Sequence, residues 1–330
     1  MVNITDVARH AGVSVATVSR VINNSSSVIA ETREKVLKSI EELGYNPNGV
    51  ARNLRRRNTK IIIVILPSIT NTFYSKVVRG IEDRGRINGY NVLLCTTGND
   101  KKLEMLYLDM IKAKQADGVI FMYSTLNENE LRQFGMLYPS VQCSEYKENT
   151  GIPYVSIDNI LAASEVTEHF ICDGHKNIAM ISENKVGSSL LRQQGYLNVL
   201  HKYNMTDLIE YGDYSYNSGY KATQNILQKK PDTTAIFAIS DIMAMGSMRA
   251  SIDMNLKIPQ DIAVSGFDNI LFSHMFSPEL TTISQPRYQM GENAMRLLIE
   301  QIDQGKRNQD NIIMQHKLII RESSKFKRGD

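Results

Sequence analysis

Cysteine is scarce in this 330-residue chain: there are three, Cys95, Cys143 and Cys172, odd in number and far apart. That spacing supports neither a disulfide framework nor a zinc site. Each thiol sits in or beside an apolar run, so all three are expected to be buried small residues. Long apolar stretches are lacking too. No run of eighteen apolar residues occurs, and the N-terminus carries Asp6 with no apolar segment of signal-peptide length. Neither a membrane span nor a secretory leader is expected, and the chain is placed in the cytoplasm. Catalytic signatures are missing as well. The six histidines, His10, His169, His175, His201, His274 and His316, keep no metal-ligand spacing, and no Gly-x-Ser-x-Gly, Gly-rich phosphate loop or Gly-x-Gly-x-x-Gly appears. A protein that binds rather than catalyses, without metal or cofactor, is the expectation; His175, in a Gly-His-Lys turn before a strand, reads as structural.

What is present is concentrated at the N-terminus. Ile4–Asn23 reads as two short helices joined by a tight turn. Thr5 is placed to cap the first, and Val7, Ala8 and Ala11 give it a narrow apolar face of small residues that lets a second helix cross closely. Gly12 supplies the positive φ that ends it, and Ser14 caps a second helix with Val18, Val21 and Ile22 at i, i+3 and i+4. The other face of that helix carries Val15, Ala16, Thr17, Ser19 and Arg20. This is the pattern of a helix-turn-helix, whose second helix presents its N-terminal end to base edges in the major groove. A third helical stretch over 31–43 aligns Val36, Ile40 and Leu43 to close a three-helix core, and Gly44 ends it.

Charge supports the same reading. Residues 1–60 hold ten Lys/Arg against five Asp/Glu, whereas the other 270 hold 28 against 30. The basicity is confined to the head and to the short run 49–57, which includes Arg52, Arg55, Arg56 and Arg57, as expected of a phosphate-contacting module on a neutral body. No broad apolar face accompanies those arginines, which argues against a membrane-surface helix.

From Lys60 onward, short apolar runs alternate with amphipathic stretches, the mark of parallel sheets covered by helices. Strands are expected at Ile61–Leu66, Tyr90–Thr96, Gly118–Tyr123, Ser140–Cys143 and Val155–Ile157, with helices at Phe73–Asn88, Lys101–Ala113 and Glu128–Leu137. The alternation restarts with strands at Ile178–Ile181, Leu208–Tyr211, Ala235–Ile239 and Ile262–Gly266, and helices at Ser189–Lys202, Asn217–Gln228 and Ile242–Met254. A helix at Tyr288–Gln304 and a strand pattern at Ile312–Ile320 must dock back. The fold class is therefore an all-α helix-turn-helix head on a two-lobed α/β body, with a cleft between strand C-terminal ends where open sheets bind ligands.

Several segments carry a family likeness: Ile4–Asn23, Tyr45-Asn46-Pro47-Asn48 running into Ala51-Arg52-Asn53-Leu54, the Phe73–Gly80 helix entry, Val155–Asn159, Gly174–Ile178, Arg192–Tyr196, Ser240–Gly246, Gly266–Ile270 and Leu280–Tyr288. In these the chain resembles the lactose-repressor/galactose-repressor family of bacterial transcription regulators along essentially its whole length, and the cytidine-type branch of it most closely. The resemblance implies a homodimer on a palindromic operator, with a periplasmic-binding-protein-like sensor body that takes a nucleoside or sugar-like effector. It divides the chain into a DNA-binding domain at 1–46, a hinge helix at 47–59 and an effector and dimerisation domain at 60–330. The N-lobe of that domain spans roughly 60–158 and 288–318, and the C-lobe roughly 159–287 and 319–330.

On this likeness the base contacts fall to Val15 and Ala16, whose small apolar side chains suit thymine methyls, and to Arg20, which suits guanine. Thr5, Thr17, Ser19 and Asn23 suit phosphates. In the hinge, Ala51, Leu54 and Arg55 would enter or flank the minor groove, with Leu54 as the wedge; a segment of this length with four arginines should order only on DNA. The effector cleft is assigned to Phe73, Tyr74, Ser188, Arg192, Tyr214, Ser240 and Asp268. Asp241 is expected to cap its helix instead, and Val186 stands where a purine-binding relative has arginine. The tail has no heptads, so a dimer is expected rather than a tetramer. Two other readings remain open on sequence: a two-lobed solute-binding protein without DNA function, which would need a secretory signal and no basic head, and a transcriptional activator, which operator position alone would distinguish.

Overall fold

The computed structural model describes residues 2–22, 25, 27–45, 58–183, 187–305 and 310–325. The chain forms two compact units, 1–59 and 60–330. The first contains helices α1 (Ile4–His10), α2 (Val15–Ile22) and α3 (Ala30–Glu42). Its core is small: Val7, Ala8, Val18, Val21 and Val36 are buried, with Ala11, Ile22, Ile40 and Leu43 packed on them. Gly12 and Gly44 adopt the left-handed backbone (φ +64° and +57°) that ends α1 and α3. Ser14 caps α2, its Oγ accepting the Thr17 N–H at 3.2 Å. The cap of α1 is Asn3 and not Thr5: Asn3 Oδ1 accepts the N–H groups of Thr5 and Asp6, and Asp6 returns the favour by accepting the Asn3 N–H at 3.0 Å. This reciprocal box starts the helix two residues earlier and leaves Thr5 exposed in its first turn.

The second unit holds two six-stranded sheets. The N-lobe is built from β1 (Ile61–Leu66), α4 (Thr72–Ile87), β2 (Asn91–Thr96), α5 (Lys101–Lys112), β3 (Gly118–Phe121), α6 (Glu128–Gly135), β4 (Ser140–Cys143) and β5 (Tyr154–Ile157). The C-lobe follows with α7 (Asn159–Cys172), β6 (Ile178–Ser182), α8 (Gly187–Lys202), β7 (Ile209–Tyr211), α9 (Tyr216–Lys229), β8 (Ala235–Ala238), α10 (Asp241–Asp253), β9 (Ala263–Asp268), a 3-10 turn at Leu271–His274 and β10 (Thr281–Ser284). The chain then returns through α11 (Arg287–Gln304), β11 (Ile312–Met314) and β12 (Lys317–Ile319). The sheet orders are β11-β5-β4-β3-β1-β2 and β12-β10-β9-β8-β6-β7. All pairings are parallel except β10 with β12. The Ile-Ile-Ile-Val-Ile-Leu run of β1 fits a strand with helices on both faces, and Ile62–Leu66 are fully inaccessible or nearly so.

The chain passes between lobes at 157–159, 284–287 and 314–317. The last crossing corrects the single strand expected over Ile312–Ile320. The run splits, β11 joining β5 in one sheet and β12 joining β10 in the other. Helix α11, though late in sequence, packs on α4, and glycine sets their separation. A Cβ on Gly80 would stand 2.1 Å from the Tyr288 carbonyl oxygen, and one on Gly291 would stand 2.0 Å from that of Val77. Helix α7 had no counterpart among the helices expected from sequence; its buried face is Asn159, Ala162, Ala163, Val166, Thr167 and Phe170, in which only Val166 and Phe170 are large and apolar. It also corrects one cysteine. Cys95 and Cys143 are buried, but Cys172 falls at the solvent side of the last turn of α7.

Candidate functional site

A cavity of about 790 Å³ opens between the lobes. Its wall is made where strands end: Pro67 and Ser68 follow β1, Asn99 follows β2, Tyr123 follows β3, Glu145 follows β4, Glu183 follows β6, Asp213 and Tyr214 follow β7, and Asp268 closes β9. This is the crevice beyond the carboxyl ends of parallel strands, the place where such sheets hold ligands. Five of the residues that the sequence nominated for the cleft, Phe73, Tyr74, Arg192, Tyr214 and Asp268, stand on this one wall. Asn71 caps α4 by accepting the Phe73 N–H at 3.0 Å, which fixes the start of the helix carrying both aromatic residues. The Phe73 and Tyr74 rings meet edge to face, 5.3 Å between centroids at 77°. Tyr214 sits at φ +64°, a backbone conformation that tyrosine adopts only when its surroundings impose it.

Arg192 is almost wholly buried and tightly held. Its Nε donates to Asn159 Oδ1 at 2.9 Å, its Nη1 donates to the Ile239 carbonyl at 2.7 Å, and its guanidinium lies 3.6 Å over the Phe267 ring. Asp268, at φ +106°, accepts from Gln285 Nε2 at 2.7 Å. Burial pushes its carboxyl up to about 6, against the opposing pull of the Arg192 and Arg287 guanidinium groups. Burial, reinforced by the Glu145 carboxylate, raises the Tyr74 and Tyr214 phenols well above their ordinary range, so both rings stay neutral hydroxyl donors.

Ser188 and Ser240 do not line the cavity. Ser188 begins α8 in the C-lobe and spends its polar atoms on the N-lobe: its N–H donates to Glu145 Oε2 at 3.0 Å and its hydroxyl donates to Glu145 Oε1. Ser240 is the cap of α10, accepting the Met243 N–H at 3.3 Å. The capping role expected of Asp241 is thus filled one residue earlier. Asp241 is fully buried instead, accepting the Thr282 hydroxyl at 2.6 Å and the Ile270 N–H at 2.7 Å. Burial, with the nearby Asp268 charge, pushes it up to about 8. It ties α10 to the turn that leaves Asp268. Glu145, Tyr123, Asp213 and Glu183 were not foreseen; their signal was positional, each standing within two residues of a strand's last position.

His175 is buried and structural, its Nδ1 paired with Thr234 Oγ1 at 3.0 Å. Among the described residues no helix is long and apolar enough to cross a membrane, and no group of three or more His, Cys, Asp or Glu is arranged to hold a metal.

In the head, α2 turns Val18 and Val21 inward. Ala16 and Arg20 are exposed, and Thr17 and Ser19 are half-buried. Val15, also half-buried, packs partly on the head core, so less of its side chain is offered outward than the sequence suggested. The Thr17 hydroxyl is shared with Ser14 Oγ at 2.9 Å. Asn23, the hinge residues Ala51, Leu54 and Arg55, and Val186 lie outside the described residues.

Two family models match. Residues 3–48 fit "Bacterial regulatory proteins, lacI family", and residues 59–322 fit "Periplasmic binding proteins and sugar binding domain of LacI family". The HTH-type transcriptional regulator RegA of Clostridium saccharobutylicum is 38% identical over 328 residues, covering 98% of this chain and 99% of that protein. The HTH-type transcriptional repressor CytR of Escherichia coli K12 is 36% identical over 325 residues, covering 97% and 95%. The crystal structure of the Lac repressor dimer bound to operator and the anti-inducer ONPF superposes with a TM-score of 0.87 at 29% identity, covering 98% of this chain and 99% of that one. The chain belongs to the lacI family of bacterial regulatory proteins, a transcription regulator with a helix-turn-helix head and a periplasmic-binding-protein-like sensor body.

Proposed function

We propose that two copies of this chain repress transcription by gripping one palindromic operator, and that a nucleoside or sugar-like effector in the interlobe cleft changes that grip. The convergence of Phe73, Tyr74, Arg192, Tyr214 and Asp268 on one cavity, in a chain that also carries a helix-turn-helix, is the observation that supports this most strongly. Flat rings, a fixed guanidinium and a carboxyl suit a molecule with a planar part and several hydroxyls, and of the two ligand classes we favour a nucleoside. The protein acts by binding rather than catalysis, in the cytoplasm where operator DNA lies. A second copy has apolar surface to cover: Leu93 and Leu94 on edge strand β2, Leu106 on α5, and Leu271, Phe272 and Met275 around the 3-10 turn are all exposed. Effector closure of the cleft and operator binding by the heads then become linked equilibria.

Arg20 tests the head. With an operator duplex selected from random sequence by the full-length protein, Arg20→Ala should cost about 1–3 kcal/mol at one base position and little on duplexes already altered there. Fluorescence anisotropy across single-base variants reads this directly. An equal loss on every duplex would make Arg20 a phosphate contact.

A further inference from the structure

Three stretches of chain join the lobes, and a change in the angle between the lobes has to bend them. Two of the three reach the cleft wall with a buried side chain. Asn159 ends the first crossing: its Nδ2 donates to the Ile157 carbonyl at 3.3 Å, and its Oδ1 accepts from Arg192 Nε at 2.9 Å. Gln285 lies in the second crossing, and its Nε2 donates to Asp268 Oδ1 at 2.7 Å. Arg192 and Asp268, both on the cavity wall, are thus each held from a crossing. The third crossing differs. Its His316 pairs with Glu165 of α7 at 3.1 Å, and neither residue lines the cavity.

The second crossing is tied to the strand end that carries Asp268. Asn269, the next residue, donates from Nδ2 to Ser284 Oγ at 3.1 Å, Arg287 Nη2 donates to the Asn269 carbonyl at 2.6 Å, and the Arg287 N–H donates to the Gln285 carbonyl at 2.8 Å. Pro286 stands at the N-cap of α11, which packs on α4, the N-lobe helix bearing Phe73 and Tyr74. Gln285 therefore has the C-lobe wall on one side and the entry to the N-lobe on the other. A ligand that engages Asp268 alters the acceptor on which the Gln285 amide depends, and a bent crossing moves that buried donor away from its acceptor, at the cost of an unmade hydrogen bond.

We infer that Gln285 is a positioning residue that carries the state of Asp268 to the second crossing, so that this one bond helps set the angle between the lobes and, through it, the grip on the operator. This rests on the proposed linkage between cleft and operator. Gln285→Met keeps the length of the side chain and removes the donor, while Asp268→Gly removes the acceptor at a positive φ that glycine tolerates.

Anisotropy on the selected operator, with the full-length protein and no ligand added, compares the unaltered chain, Gln285→Met, Asp268→Gly and the double variant, with a melting curve to check that each is folded. Each single change should shift operator affinity at least about fivefold and in the same direction. The double variant should stay within about twofold of the larger single shift, because both changes remove the same bond. Gln285→Glu, which sets carboxyl against carboxyl, should shift affinity the same way. The head is a separate compact unit, so a side chain that only stabilised the body would lower the melting temperature and leave the operator affinity of the folded protein where it was. Unmoved affinity in folded Gln285→Met and Gln285→Glu beside a shifted Asp268→Gly, or single effects that simply multiply in the double variant, would overturn the inference and leave the linkage intact. Unmoved affinity in every variant would overturn both.

Discussion

Val18→Asp should abolish operator recognition while leaving ligand binding in the cleft unchanged. Val18 is wholly inaccessible in a head whose buried apolar core consists of Val7, Ala8, Val18, Val21 and Val36. A unit of this size has a stability of roughly 3–9 kcal/mol, at the usual 0.05–0.15 kcal/mol per residue. An unpaired carboxylate forced among these valines costs several kcal/mol. The head should therefore unfold, and DNA binding should fall to its non-specific level, a loss of about 10³-fold or more. The body is a separate compact unit with its own two sheets, so its calorimetric titration should match that of the unaltered protein. Anisotropy on the operator together with calorimetry on one preparation checks both halves. A body that lost its ligand along with the DNA would contradict the independence of the two units.

Arg192→Ala is expected to be the most damaging single change in the body. The guanidinium fills a nearly closed site, satisfies Asn159 Oδ1 and the Ile239 carbonyl, and lies on the Phe267 ring. Its removal strands two acceptors, opens a cavity and strips the cleft of its one described basic lining residue, leaving Asp268 without an attraction that offsets its burial. Truncating such a buried, hydrogen-bonded cation costs about 3–5 kcal/mol. Urea denaturation of the body should show a loss of that size, and ligand affinity should fall at least about 100-fold, equivalent to roughly 2.7 kcal/mol. Lysine should restore little, because a single ammonium cannot reproduce the planar fork that meets two acceptors while stacking on a ring. A normal ligand affinity in Arg192→Lys would remove Arg192 from the binding site.

The parts of this fold that were legible in the sequence are those whose residues answer to local rules. Strand β1 starts and stops where its apolar run does, since a strand covered on both faces is apolar throughout. Capping at Ser14 and the left-handed turn at Gly12 follow from the same kind of short-range chemistry. What escaped depends on partners distant in sequence. Whether Ile312–Ile320 is one strand or two is decided by the two sheets that divide it, at β5 and β10. Thr281–Ser284 becomes a strand because β9 and β12 flank it. Helix α7 offers only Val166 and Phe170 as large apolar residues among small and polar ones, and the role of its alanines appears once α8 packs on it. In the cleft, the aromatic and charged residues reached by family likeness do converge, but Glu145 acquires its place from Ser188, 43 positions away. Ser188 and Ser240, nominated for the ligand, are occupied by a carboxylate and a helix end respectively.

The central claim is that one molecule couples a cleft in its body to DNA held by its head. Its most direct test is operator affinity of the full-length protein, measured by anisotropy with and without saturating cytidine or adenosine, paired with calorimetric affinity for the same nucleoside with and without operator. The account predicts two chains per duplex and the same fold-change in both measurements, because linkage between binding equilibria is reciprocal. An operator affinity that does not move at saturating nucleoside, or one chain per duplex, would contradict it.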